Sequence, residues 1–172
     1  MPVQRLNHAV LYVRDVARSV EFYSAALGFR PITSMGELTG AAFLQAAGST
    51  NDHDLGLFQI GADAEASPAG KTAVGLYHLG WEVDTLAELR RIADKLTELG
   101  ALVGASDHAT TKALYGKDPD GIEFEVCWLV PAHLLSEQML AARKGVLPLN
   151  LAEEIATYGA ATLGGVGVSV PA

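Results

Sequence analysis

Apolar and polar positions along the chain change period from two to 3.6 and back, twice over, and each change marks an element. Residues 5–13, RLNHAVLYV, predict a strand with His8 early in it. Asp15 stands as a helix N-cap, Val16, Val20, Tyr23 and Leu27 recur at helical spacing, and Gly28 occupies the place of a left-handed C-cap. Residues 29–33, 40–46 and 54–60 predict three short strands separated by Gly, Ser and Asn. The stretch 61–71, GADAEASPAGK, has no periodicity and predicts a linker. The pattern then restarts with a strand over 73–83 that carries His78, followed by a Thr85/Glu88 capping box. Leu86, Leu89, Ile92, Leu96 and Leu99 line one helical face, Gly100 ends the helix, and strands follow over 101–105, 113–116 and 122–128.

Placed side by side, the halves match His8 with His78, Asp15 with Asp84 or Thr85, and Leu27-Gly28 with Leu99-Gly100. This is an internal duplication with a period of about 70 residues, too long for a solenoid. The expected fold is α+β: two tandem βαβββ modules, 1–61 and 73–129, joined by a linker over 62–72. Two such modules can curl a cupped mixed sheet around a shared cavity, where equivalent positions meet, His8 and His78 among them. The extension 130–172 has no counterpart in the first half. Short helices are expected within 131–144 and 149–158, covering a sheet edge or a subunit contact, with a loose Gly-rich stretch over 160–172.

The second half closes on a hairpin. Asp118, Pro119, Asp120 and Gly121 predict its turn, and Ile122, Phe124 and Val126 then share one strand face, leaving Glu123, Glu125 and Cys127 on the other. An unpaired buried carboxylate costs several kcal/mol, so a mid-strand Glu here is either solvated at a sheet edge or paired with a cation or metal.

Composition narrows the partners. A net charge of -8 on 172 residues lacks the clustered Lys and Arg that phosphate backbones or anionic membranes require, which leaves a small molecule or another protein. No run approaches the ~18 apolar residues of a membrane span, and the N-terminus shows no signal-peptide core. The single cysteine, Cys127, reads as a buried apolar thiol and fits a cytoplasmic location.

Four of the five histidines, His8, His53, His78 and His108, fall in segments expected to border the cavity. His8 and His78 on matching strands, with Glu125 on the last strand, make a 2-His-1-carboxylate set that leaves open positions on a divalent metal. Two neutral imidazoles and one carboxylate leave Fe(II) with one net positive charge, which suits an anionic chelating substrate beside dioxygen. The competing account of each histidine is a hydrogen-bonded core or surface residue.

The segments LNHAVLYVRDVARSVEFYSAALGF, GLYHLGWEV and SDHATTKALYGKDPDGIEFEV resemble the vicinal oxygen chelate superfamily over about residues 5–128. That resemblance implies paired βαβββ modules around a metal. Glyoxalase I, methylmalonyl-CoA epimerase, fosfomycin-resistance and bleomycin-binding proteins share the scaffold, so fold analogy leaves the reaction open.

Within it the chain is most similar to type I extradiol ring-cleavage dioxygenases. The resemblance places their metal ligands on His8, His78 and Glu125, an acid–base histidine on His53, a tyrosine on Tyr115, ten residues ahead of Glu125, and a second histidine on His108. It implies Fe(II), with Mn(II) as the alternative, a catechol-like substrate, dioxygen and a homodimer. Phe43, Leu55, Leu57 and Trp81 are expected to wall the pocket. Many such enzymes carry a preceding noncatalytic pair of modules, which this chain lacks.

Gln59 keeps alternatives open. Glyoxalase I and the epimerase place a fourth ligand near that position, which would suit an isomerase or lyase at a non-redox metal. A drug-binding resistance protein without chemistry is the third class.

Overall fold

Strand β1 (Ala9–Val13) leads into helix α1 (Val16–Leu27) through Asp15, whose carboxylate accepts from the Arg18 amide as an N-cap. The helix ends at Gly28 with φ 75°, the left-handed conformation that makes glycine favourable there. The computed structural model describes residues 2–34, 36, 38–165 and 169. They fall into two units: Met1–Ser67 with Asp118–Gly121, and Pro68–Lys117 with Ile122–Ala172.

In the first unit, β2 (Arg30–Pro31), β3 (Ala41–Gln45) and β4 (Leu55–Gln59) complete a sheet of order β1-β4-β3-β2, with β1 and β4 parallel and the other pairs antiparallel. Leu11, Val13, Leu44, Leu55 and Leu57 are buried, as are Phe22, Tyr23 and Ala26 of α1. The helix therefore turns the face centred on Phe22, Tyr23 and Ala26 inward. Val16, Val20 and Leu27, expected on the buried face, are only half-buried at its margins.

The turn Asp118–Gly121 packs within this unit. The Tyr23 hydroxyl donates to buried Asp118 at 3.1 Å, and Arg14 bonds Asp120 at 2.8 Å. Gly121 supplies the expected positive φ of 83°. Burial, then the Asp118 charge, push the Tyr23 phenol well above its ordinary value of 10.0. Above about pH 10 the unfolded chain loses this proton while the fold retains it. Stability that is whole below that pH is therefore lost as pH rises toward the native value, at a slope of at most ~1.4 kcal/mol per pH unit. Tyr23→Phe is expected to flatten the alkaline fall of the urea midpoint. An unchanged slope would assign that fall to other groups.

The second unit repeats the plan. β5 (His78–Glu82) precedes α2 (Leu86–Glu98), then β6 (Leu102–Asp107), β7 (Thr111–Lys117) and β8 (Glu123–Leu129). β5 and β8 are parallel, as β1 and β4 are in the first unit, so the duplication extends to topology. Thr85 caps α2 by accepting from the Glu88 amide, and Leu86, Leu89, Ile92 and Leu96 are buried. Leu99 is exposed, and the Glu88 carboxylate pairs with Arg91, so only half of the expected capping box forms. In the sheet, Gly116 leaves the space that the Phe124 ring fills: a Cβ there would sit 2.5 Å from that ring.

Strand boundaries differ from expectation where a ladder partner is missing. β1 begins at Ala9, which faces the first residue of β4, so His8 precedes the strand. β5 begins at His78, opposite the first residue of β8. The expected strand start over 73–77 is irregular, with Val74, Leu76 and Tyr77 exposed.

Beyond β8 come a 3₁₀ turn (Ala132–Leu134), α3 (Glu137–Ala142), β9 (Leu147–Pro148) and α4 (Leu151–Tyr158). β9 is a strand the sequence pattern did not indicate; it pairs with the free edge of β6 and makes the order β5-β8-β7-β6-β9. Residues 160–165, expected to be loose, are held: the Trp128 indole donates to the Thr162 carbonyl and the Gly164 amide to that of Asp84. Of the remainder of that stretch, only residue 169 lies within the described residues. Among the described residues no helix is long and apolar enough to cross a membrane.

Candidate metal centre

Strand alternation builds one polar face in the second unit. β8 sends Phe124, Val126 and Trp128 into the core and leaves Glu123, Glu125 and Cys127 on the opposite face. Neighbouring strands then set the company of Glu125: Tyr115 of β7 lies opposite it, and on β5 it faces Gly80, two residues after His78.

The resulting contacts form a chain. His78 Nε2 is 3.4 Å from Glu125 Oε2, and the Tyr115 hydroxyl donates to Glu125 Oε1 at 3.3 Å. His108 Nε2 lies 3.2 Å from the Tyr115 oxygen. With the phenol proton directed at Glu125, the His108 ring has to donate from Nε2. Burial, then the Glu125 charge and hydrogen bond, raise the Tyr115 phenol above 10.0, so it remains a donor at neutral pH. Cys127, on the same face, is pushed up to about 12, first by burial and then by Glu125. It is an inert thiol, not a nucleophile.

The first unit holds the other two of the four candidate histidines. His8 and His53 lie with ring centroids 4.4 Å apart, and the Phe43 ring meets His53 at 4.8 Å. His8 Nδ1 bonds Asn7 Oδ1 at 2.8 Å and His53 Nδ1 bonds Asp52 Oδ2 at 3.0 Å, so both rings keep Nε2 for other work. Gln59 has a structural role, because its side-chain oxygen accepts from the Val16 amide and caps α1. Leu55 and Leu57, expected in the pocket wall, are instead fully buried in the core of this unit.

The structure thus brings together His78, Glu125, Tyr115 and His108 in one unit, and His8 and His53 in the other. Among the described residues no group of three His, Cys, Asp or Glu side chains is gathered closely enough to hold a metal ion. The His78–Glu125 pair fits part of a divalent site: two ligands at right angles, each about 2.1 Å from an ion, stand ~3 Å apart. The His78 Nδ1 atom is buried without a hydrogen-bond partner, so ligation through Nε2 would leave the ring N–H unpaired, unlike the anchored rings of His8 and His53. An imidazole beside a carboxylate is a donor set that suits Fe, Mn or Zn.

Sequence reasoning passed over a second polar cluster. Lys112 of β7 is 3% exposed, with its ammonium 2.6 Å from Asp107 Oδ1 and 3.0 Å from Glu154 Oε2 of α4. The available signal was a lysine sharing a strand face with core Leu114.

The chain is similar to several known proteins. The curated catechol-2,3-dioxygenase of Bacillus subtilis (strain 168) is 31% identical over 121 residues, 70% of this chain, which spans only 40% of that relative's length. The metallothiol transferase FosB of Lysinibacillus sphaericus (strain C3-41) is 26% identical over 129 residues, 73% of this chain and 82% of the relative. A solved glyoxylase/bleomycin resistance protein/dioxygenase domain from Frankia sp. EAN1pec superposes with a TM-score of 0.59 at 20% identity, covering 75% of this chain and all of that one. Residues 5–126 match the family profile itself, and the chain belongs to the Glyoxalase/Bleomycin resistance protein/Dioxygenase superfamily.

Proposed function

We infer that the protein is an Fe(II)-dependent extradiol ring-cleavage dioxygenase acting on a catechol-like aromatic. The observation that carries this reading is the chain His108–Tyr115–Glu125–His78, with Tyr115 donating to the carboxylate and His108 donating to Tyr115. The similarity to a catechol-2,3-dioxygenase over 121 residues supports it.

The proposed ligands are His78 and Glu125, completed by His8, with Mn(II) as the alternative ion. A divalent iron bound there would chelate two vicinal oxygens and supply the electron exchange with dioxygen that ring opening requires. The chain's own residues do the rest. Tyr115, neutral at working pH, would turn its single phenol proton from Glu125 to a substrate oxygen once Glu125 is engaged as a ligand, while His108 keeps donating to the phenol oxygen and holds it in register. His53, anchored through Nδ1 on Asp52, takes and returns a proton at Nε2. The Phe43 ring beside His53 offers an aromatic wall. The single cysteine suits the cytoplasm, and a homodimer is the assembly that the resemblance implies.

A second reading rests on the similarity to the metallothiol transferase FosB over 129 residues. It predicts metal-dependent thiol transfer. An isomerase with Gln59 as ligand is less favoured, because that side chain caps α1.

Oxygen uptake by anaerobically Fe(II)-loaded protein, with a small panel of catechols and with His8→Ala as control, tests the choice. Uptake with a new visible absorbance, lost in the variant, is the expected result. No uptake by fully iron-loaded protein, together with thiol consumption in the presence of fosfomycin, would transfer the assignment to the second reading.

A further inference from the structure

The turn that carries His108 is strained and clamped. Ala109 has φ 62°, the only positive φ of a non-glycine among the described residues. That conformation is unfavourable for an L-residue and persists only where its surroundings enforce it. The enforcing contact is Asp107 Oδ1, which accepts from the Ala109 amide at 2.7 Å, while the His108 amide donates to the Thr111 carbonyl.

Asp107 is itself fixed by the C-terminal extension, through two routes. Its Oδ1 accepts from buried Lys112, whose other carboxylate partner is Glu154 of α4 and whose ammonium lies 5.9 Å from the Tyr158 ring centroid. Its backbone pairs with Leu147 of β9. The extension lies beyond residues 5–126, the span that matches the family.

We propose that the C-terminal extension is a positioning device for His108: Glu154 and β9 hold Lys112 and Asp107, and these set the turn that aims the imidazole at Tyr115. The inference rests on the role given to His108 above. Glu154 and Lys112 are positioning residues and touch no substrate. Without the Glu154 charge the ammonium loses its tie to α4 and re-centres on Asp107, so it competes harder for the Oδ1 atom that accepts from the Ala109 amide, and the turn relaxes toward negative φ. The His108 ring then loses its fixed distance to Tyr115.

The test uses the full chain with Glu154→Gln, which keeps size and removes charge, and Asp107→Asn as a second variant acting directly on the turn. Histidine ring ¹⁵N–¹H spectra of the metal-free protein read the position of His108 without any turnover. Both variants are expected to shift or broaden the His108 signals and leave those of His8 and His53 in place. In the iron-loaded protein, kcat on the active catechol is expected to fall about tenfold with KM little changed. Glu154→Gln added to His108→Gln should then cost nothing further, the non-additivity of residues acting through one group. Unchanged His108 signals in Glu154→Gln, with only the melting temperature lowered, would overturn the proposal and make the extension a simple stabiliser. If wild-type protein shows no oxygen uptake, the functional reading fails, and the spectra still decide the positioning role.

Discussion

Glu125→Gln is expected to lower divalent-metal affinity and turnover by more than ~100-fold while leaving the fold intact. Loss of even a supporting hydrogen bond around a metal typically costs 10–100-fold, so losing a ligand costs more. Glu125 is the only carboxylate in the proposed ligand set. Its amide keeps the shape and can still accept from Tyr115, so packing of β8 between β5 and β7 should survive. The charge is what disappears: a bound divalent ion would keep both of its positive charges in a half-buried site. Calorimetric titration with Fe(II) or Mn(II) under anaerobic conditions, with circular dichroism as the check on folding, gives the answer. Wild-type affinity in Glu125→Gln would remove this residue from the ligand set and leave Glu123 as the carboxylate to examine.

Lys112→Ala should be the costliest of these changes for stability, by about 3–5 kcal/mol, since it leaves carboxylates uncompensated in a buried place. Asp107 and Glu154 both face the ammonium, and their side chains are 19% and 15% exposed, too little for water to replace the lysine fully. For a chain of this size that corresponds to a fall in melting temperature on the order of 10 °C. The triple change Lys112→Met, Asp107→Asn, Glu154→Gln should recover much of the loss, because neutral groups carry no such desolvation cost. A Lys112→Ala protein that melts within about 1 °C of wild type would mean that the two carboxylates are solvated after all.

The two predictions separate two layers of the second unit. Glu125 sits on the polar face of the sheet and Lys112 on the core face of the adjacent strand, so one substitution addresses chemistry and the other the frame that holds it. His108 is the point where they meet, because the clamp on its turn is anchored on the core face while its ring reaches the polar face.

The chain alone determined what depends on neighbours in sequence. Asp15 and Thr85 accept from amides three residues on, Gly28 and Gly121 take the positive φ that only local sterics demand, and Phe124 to Trp128 alternate because a strand has period two. The duplication was legible for the same reason: each half repeats its own caps and periods. Glu125, His78 and Tyr115 stood out as candidates because strand alternation and resemblance to known relatives both point to them.

Tertiary structure decided what depends on distant partners. β1 and β5 begin only where β4 and β8 lie opposite, so the apolar run through Val74, Leu76 and Tyr77 stays unpaired although its composition suits a strand. Leu55 and Leu57 face α1 and the core because that helix, and not a ligand, occupies their side of the sheet. Gln59 became a cap and Lys112 a buried anchor through contacts with Val16 and Glu154, each about forty residues away. A period cannot encode such pairs, since burial cost and charge complementarity act only after the chain has brought the groups together.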